Sequence, residues 1–439
     1  MIRLFRRVCL VAVLHGVGFP GLASAQEPQP EPLPVPAPGG LEVEAQAAPP
    51  EEPTGRIERI EVSGNTRTRD SVILHALQTA PGDVFTASSG AELKRRVLNL
   101  RLFKSVEVHT RPEGTGVALQ VQVEERWTLL PFPIFSSSEG QWQAGVFAVE
   151  SNLFGLNKTL VFGGLAGNRG GSVISMYRDP GIAGSLWTGR LWFQFAKKDR
   201  ERRLDDIVVD AYTDRRFDIS GSLGYQLTSA LNVGAGPFAL TNKPLPLAGG
   251  AATPEPGEAY GVSLTAEYLG QDFHFYFNEG LAALVSYRQG LGFLGSSREL
   301  RQLSVFASYT LPLFGNHALT LAGSHIQGHG DPVLDAQLLG GRPGSRGFAQ
   351  DTLWGDTVST LTLEYQVPLW SPRLATVTAH AFVDVGRVQL EESLTRYAAP
   401  GVGFRVYLRS VAIPAVGVEV TRSPETGKLL PSVAVGFSM

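Results

Sequence analysis

Between residues 131 and 439, apolar and polar side chains alternate with a period of two almost without interruption. In 358–369, Leu361, Leu363, Tyr365 and Val367 alternate with Thr360, Thr362, Glu364 and Gln366. In 401–409, Val402, Phe404, Val406 and Leu408 alternate with Gly403, Arg405, Tyr407 and Arg409. In 415–421, Val416, Val418 and Val420 flank Gly417 and Glu419. At the end, Val433, Val435, Phe437 and Met439 alternate with Ser432, Ala434, Gly436 and Ser438. A period of two is that of a β-strand whose faces meet different surroundings. Segments of roughly ten such residues between turn signals predict an all-β transmembrane barrel, one face toward lipid and the other toward a wet or polar lumen. The strands are predicted to start near 132, 141, 158, 171, 186, 216, 229, 259, 280, 300, 317, 357, 375, 399, 411 and 429. That makes about sixteen antiparallel strands, an even number as in bacterial single-chain barrels. A soluble sandwich alternates as well. Loop asymmetry favours the membrane: short turns at 314–316, 370–372 and 409–410 take turns with long polar loops at 198–215, 242–258 and 330–356.

The N-terminus supplies a second reason. Arg3, Arg6 and Arg7 precede a mostly apolar stretch over 8–22, and Ala23-Ser24-Ala25 follows. This pattern predicts a signal peptide over residues 1–25, its apolar run too short to span a bilayer. The one cysteine, Cys9, leaves with it, which excludes a disulfide framework and a cysteine-ligated zinc. Residues 26–55 are rich in Pro and carry Glu27, Glu31, Glu42, Glu44, Glu51 and Glu52 with no Lys or Arg. Such a stretch buries no core and is expected to be a disordered acidic linker.

Residues 56–127 follow a different pattern. Ile57, Ile60 and Val62 lead into the turn Ser63-Gly64-Asn65. Asp70 is placed to cap a helix carrying Val72, Ile73, Ala76 and Leu77, and Pro81-Gly82-Asp83 breaks it. A second helix starts near Ser88, and two alternating strands follow around Val106 and Val121. The predicted order is strand, helix, helix, strand, strand. Ile60-Glu61-Val62-Ser63-Gly64-Asn65, then Leu102-Phe103-Lys104-Ser105-Val106, then Val121-Gln122-Val123-Glu124-Glu125 resemble a POTRA domain in their type and order. The resemblance implies a periplasmic domain that takes up unfolded polypeptide by adding a strand to its sheet edge.

A second resemblance lies in the barrel. Gly340-Gly341 and Ser345-Arg346-Gly347-Phe348 resemble the loop-six motif of the BamA/TamA outer-membrane assembly superfamily, the bacterial surface antigens. Phe382-Val383-Asp384-Val385-Gly386 is similar to that family's strand-thirteen motif, and Glu364 to its acidic strand-twelve position. The resemblance implies that the loop folds back into the lumen and that Arg346 pairs with Asp384 and Glu364. A buried guanidinium needs such partners. Gly347 is expected to let the backbone turn where a side chain would clash. One POTRA module is present, and the chain ends Phe437-Ser438-Met439.

Composition narrows the function. A net charge of −3 excludes a basic face tracking nucleic acid. Fifty glycines without a three-residue period exclude a collagen-like chain. There is no Gly-x-Ser-x-Gly elbow and no phosphate loop. His325 and His329 beside Asp331 lack a further converging zinc ligand. No enzyme activity, cofactor or metal is expected. The run Lys197, Lys198, Arg200, Arg202 and Arg203 reads as a solvated loop that can also meet lipopolysaccharide. Pro131 and Pro133 in the first strand and Pro431 in the last remove ladder donors, and Gly436 adds a kink site. Together they predict a weak lateral seam. The leading expectation is a monomeric outer-membrane biogenesis factor that contacts membrane lipid and inserts or translocates polypeptide clients. The alternatives are a secretion or passive pore and a structural surface antigen.

Overall fold

Strand β1 (Gly55–Ser63) opens the N-terminal unit, with Ile57 turned into its core. The computed structural model describes residues 54–435 apart from 87, 101, 139, 205–206, 248–250, 275 and 409–410. The expected signal peptide, most of the linker and Gly436 lie outside the described residues. After β1 come helix α1 (Asp70–Leu77), the two-residue strand β2 (Val84–Phe85), helix α2 (Ser89–Leu98), and strands β3 (Phe103–Glu113) and β4 (Gly116–Glu125). The sheet order is β2-β1-β4-β3, with β1 parallel to β4. Ile73, Leu77, Leu93 and Val97 of the helices pack on Ile57, Val106, Leu119 and Val121 of the sheet. Strand β2 was not predicted; two residues are too few to show a period. Asp70 is not the cap. Arg69 holds that position, and Asp70 begins the helix, where its charge suits the positive end of the helix dipole.

The two halves of the POTRA-like pattern meet at one carboxylate. Gly64 has φ 85°, and a Cβ there would strike the Val123 carbonyl. In the loop this turn opens, the amides of Arg67 (3.0 Å) and Thr68 (2.6 Å) and the Thr66 hydroxyl (2.8 Å) all donate to Glu125 at the end of β4.

The second unit begins at Trp127. Its first strands are β5 (Leu129–Ser138), β6 (Gln141–Leu153), β7 (Lys158–Gly167), β8 (Gly170–Asp179) and β9 (Trp187–Leu204). Then come β10 (Ile207–Gln226), β11 (Leu231–Pro246), β12 (Gly257–His274), β13 (Phe277–Gly290), β14 (Arg301–Leu313) and β15 (His317–His329). Loop six, residues 330–356, holds the short pair β16 (Gln337–Leu339) and β17 (Leu353–Gly355). The barrel continues with β18 (Thr357–Trp370), β19 (Ala375–Leu390), β20 (Ser393–Leu408), β21 (Val411–Arg422) and β22 (Leu429–Val435). Neighbours pair antiparallel and β22 returns to β5, closing a sixteen-stranded barrel. The burial is inverted relative to a soluble protein. Val146, Phe162, Leu191, Leu264, Val402 and Phe404 are exposed outside, and many charged groups are buried within.

Three details differ from the sequence reading. Residues 198–215 are not a loop: β9 and β10 pair as far as Leu204 and Ile207. Charges at every second position look solvated in a sequence, yet here those on one side of the strand find acidic partners. Likewise the loop expected at 242–258 shrinks to 247–256, because β11 runs on to Pro246. The lumen is not polar throughout either. Phe132, Ile134, Phe147, Val149, Val161, Ile174 and Met176 of β5–β8 alternate with lipid-facing residues and pack on one another.

Glu125 yields a pH prediction. Burial pushes its carboxyl up, but the hydrogen bonds from Thr68, Thr66 and Arg67 outweigh this and hold it at about 2. The unfolded value is about 4.3. A depressed folded value stabilises above the unfolded one, and the contribution disappears as pH falls through the folded value. The stability of the 54–126 unit should therefore fall as pH drops from about 4.3 to 2. Glu125→Gln should lower the melting temperature at pH 7 and flatten that dependence; an unchanged pH profile would contradict the assignment.

Candidate functional site: the lumen latch and the seam

Arg346 of loop six reaches the inner faces of β18–β21. Its Nε and Nη2 donate to Asp384 Oδ2 (3.0 Å) and Oδ1 (2.8 Å), the bidentate geometry of a planar guanidinium. Its backbone amide donates to the same carboxylate at 3.0 Å. Nη1 reaches Glu364 at 3.2 Å and Glu419 at 3.4 Å. The guanidinium carbon lies 3.2 Å from the centroid of the Phe382 ring, a cation–π contact. Arg405 binds the same two glutamates, at 2.5 Å to Glu364 and 2.9 Å to Glu419. Thr362 donates to Asp384 at 2.8 Å, and His380 Nε2 lies 2.9 Å from Glu419. Two arginines and three carboxylates thus form one buried network.

Register explains the convergence. Across adjacent strands, Thr362 stands opposite Asp384, Glu364 opposite Phe382, and Gly403 opposite both His380 and Glu419. These positions share the inner face. Glycine makes room for the rings: the Phe382 ring lies over Gly401, and Tyr397 over Gly386. Tyr397 meets Phe348 edge-on at 4.8 Å and donates to the Gly344 carbonyl at 2.5 Å, fixing the loop. Gly347 sits where a side chain would clash, as the sequence reading has it, and its φ is not in the left-handed region. A Cβ there would lie 2.5 Å from Ala399 Cβ and 2.8 Å from Pro424 Cδ.

Loop six has a second anchor on the opposite part of the wall. Asp351 accepts from Arg200 and from Arg342, each at 3.1 Å, with Lys198 at 4.0 Å. Above them, Leu334 and Trp354 of the loop pack with Tyr212 of β10 and Leu390 of β19. The basic run therefore divides. Lys198 and Arg200 serve the lumen, and Arg202 pairs with Asp210 at 2.5 Å. They are withdrawn from the expected lipopolysaccharide contact. Arg203 is exposed and pairs with Glu201, and Lys197 is exposed on the outer face.

At the seam, among the described residues, β22 meets β5 with Ser432–Val435 opposite Phe135–Ser138; residues 436–439 lie outside them. Pro131, Pro133 and Pro431 are all exposed.

Glu364, His380 and Glu419 are also close enough to offer a cation three ligand atoms. The two guanidiniums already neutralise those carboxylates, and a divalent ion beside them would meet fixed positive charge. His325 Nδ1 lies 2.8 Å from the Ser359 hydroxyl. Sequence reasoning missed Arg405, Glu419 and His380 as members of the network. The signal was present: Arg405 and Glu419 fall on the polar side of the alternation, and His380 lies four residues before Asp384 on the same face.

Comparison with known proteins agrees with this architecture. The POTRA model, described as a surface antigen variable number repeat, matches residues 55–126, and the Omp85 superfamily domain matches 152–406. The chain is 37% identical over 112 residues to the outer membrane protein assembly factor BamA of Neorickettsia risticii; the match covers 24% of this chain and 15% of the relative. It is 32% identical over 118 residues to a putative outer membrane protein assembly factor of Treponema pallidum, covering 24% and 14%. Among solved structures, BamA from Haemophilus ducreyi lacking POTRA domains 1–3 aligns with a TM-score of 0.61 at 16% identity, covering 87% of this chain and 84% of that one. CdiB from Acinetobacter baumannii aligns with a TM-score of 0.62 at 16% identity, covering 88% and 74%.

Removing one member of a buried ion network strands the others, at about 3–5 kcal/mol. Arg346→Ala should therefore lower the yield of heat-modifiable folded barrel far more than Arg203→Ala. Arg346→Lys should recover little, because a point charge cannot bridge Asp384 and Glu364 in the same way. A double-mutant cycle between Arg346 and Asp384 should give a coupling well above about 0.5 kcal/mol; a smaller value would contradict the contact.

Proposed function

Because the chain belongs to the Omp85 superfamily, we propose that it assists the insertion or translocation of polypeptides at the bacterial outer membrane. The barrel resides in that membrane and its POTRA domain in the periplasm. In this reading no covalent bond is made or broken. Among the described residues β3 is an outermost strand of the POTRA sheet, with β4 beside it. An outermost strand suits an incoming extended segment, which gains main-chain hydrogen bonds without a fixed sequence. The client then passes to the β5–β22 seam. One observation carries the proposal: prolines stand on both strands of this junction, Pro131 and Pro133 in β5 and Pro431 in β22. Proline has no N–H to give a ladder, so these positions hold the strands less firmly, and a client strand can replace the bonds that opening breaks. The apolar inner faces of β5 and β6 lie beside the same junction.

A covalent lock tests the handover. A cysteine replacing Ser137 and another replacing Val433 face each other in the register, and the described residues contain no cysteine. The pair should form where the Cβ separation suits a disulfide. Oxidation should abolish delivery of clients, read by outer-membrane proteomics in a strain relying on this variant, and reduction should restore it. A control pair at Leu363 and Val383, between β18 and β19, should have little effect. Normal delivery through a verified locked seam would reject lateral handover and favour passage through the lumen.

A further inference from the structure

Six strands carry one straight cross-strand row on the outer face of the barrel: Ala144, Ala166, Gly171, Lys197, Arg215 and Lys243 stand successively opposite each other from β6 to β11. Three small residues are followed by three cations. Lys197, Arg215 and Lys243 are exposed, and none makes an ion pair with a described residue. Two acids stand in the neighbouring rows of this face, each engaged by a hydroxyl: Asp199, at the edge of the groove described below, accepts from Thr213 at 2.7 Å, and Glu258, opposite Thr241, accepts from Tyr260 at 2.7 Å. Like charges directly opposite each other in a sheet repel and destabilise it. A row of three at a strand spacing of about 4.8 Å therefore calls for a counter-charge from outside the chain.

Its height identifies the surroundings. β5 leaves the periplasmic side, where the chain arrives from the POTRA domain, so β9 runs outward in the same sense. Trp187 and Tyr225 face each other at its periplasmic end, with ring centroids 5.2 Å apart. Lys197 lies ten residues further along β9. At about 3.3 Å per residue and a tilt of about 40°, that is a rise of about 25 Å, the height of a barrel's apolar band. Leu191, Phe195 and Ile219 fill the interval with exposed apolar surface. The cations thus stand at the headgroup level of the outer leaflet. Beside Lys197 the small residues leave a surface groove of about 740 Å³, lined by Ala144, Gly164, Ala166, Gly171, Val173 and Phe195.

We propose that the Lys197–Arg215–Lys243 row and the adjoining groove bind one lipid A molecule of the outer leaflet. The cations take its phosphates, the groove takes its saccharide, and the apolar surface beneath takes acyl chains. Three cations in line suit a headgroup with two separated phosphates, and a floor of glycine and alanine leaves room for a bulky sugar. Charge-assisted bonds to phosphate supply the affinity. The site rests on the membrane placement alone and is independent of client handling.

The test uses the purified full chain in detergent, with binding read by native mass spectrometry and unfolding by the temperature at which gel mobility changes. Bisphosphorylated lipid A should bind and raise that temperature. Phosphatase-treated lipid A, phosphatidylglycerol at equal charge and inorganic phosphate should each bind at least about tenfold more weakly. The triple variant Lys197→Gln, Arg215→Gln, Lys243→Gln should lose the lipid A shift, while being no less stable than the native chain in lipid-free detergent. Arg215→Gln alone should give a partial loss, and this keeps the test decisive if the triple variant folds poorly. An undiminished shift in Arg215→Gln and in the triple variant would overturn the site. Equal binding of phosphatidylglycerol would overturn the lipid A assignment.

Discussion

A guanidinium taken out of water is tolerable only when carboxylates surround it with matching geometry. Arg346 meets that condition inside the barrel, and its position determines much else. Asp384 receives three of its N–H groups, backbone included, so the loop is held in orientation as well as place. Arg405 then balances Glu364 and Glu419, whose charges Arg346 alone leaves in excess. Around this network the wall is shaped to fit: Gly386 and Gly401 leave space for rings that lie against the strands, and Gly347 lets the loop approach Ala399.

The consequence is a barrel of unequal strength around its circumference. Strands β18–β21 are joined by ladder bonds and also by side chains that cross three or four strands. Asp351 ties the other side of loop six to β9. The β5–β22 junction lacks the side-chain network: no ion pair crosses it among the described residues, and prolines stand on both of its strands. A closed sheet under thermal motion parts where the fewest bonds must break. Stability concentrated at the latch thus leaves the seam as the compliant element, which is the property that lateral insertion of a client requires.

Much of this was legible in the sequence because the side-chain period of a strand is fixed. All sixteen strands follow from alternation, and Arg346, Glu364 and Asp384 stand in recognisable local motifs. What alternation does not contain is register. Arg405 and Glu419 lie on the polar face by sequence, yet only the pairing of β20 with β21 brings them to Glu364 and Arg346. The basic run misled for a related reason. Lys198 and Arg200 look solvated until Asp351, some 150 residues away, folds back onto them. The row Lys197–Arg215–Lys243 is likewise invisible in one dimension, since its members come from three strands. In the POTRA domain the opposite holds: Glu125 closes the loop behind Gly64 because both belong to short motifs that meet in space.

The latch side of the barrel is rigid and the seam is compliant. Residue-resolved hydrogen exchange of the full chain in lipid nanodiscs measures this directly. The account predicts that amides of β5 and β22 exchange through openings far more frequent than those of β18–β20, and that Arg346→Ala speeds exchange at β18–β20 with little change at β5. Uniform protection around the barrel, or slower exchange at the β5–β22 junction than at β18–β19, would contradict it.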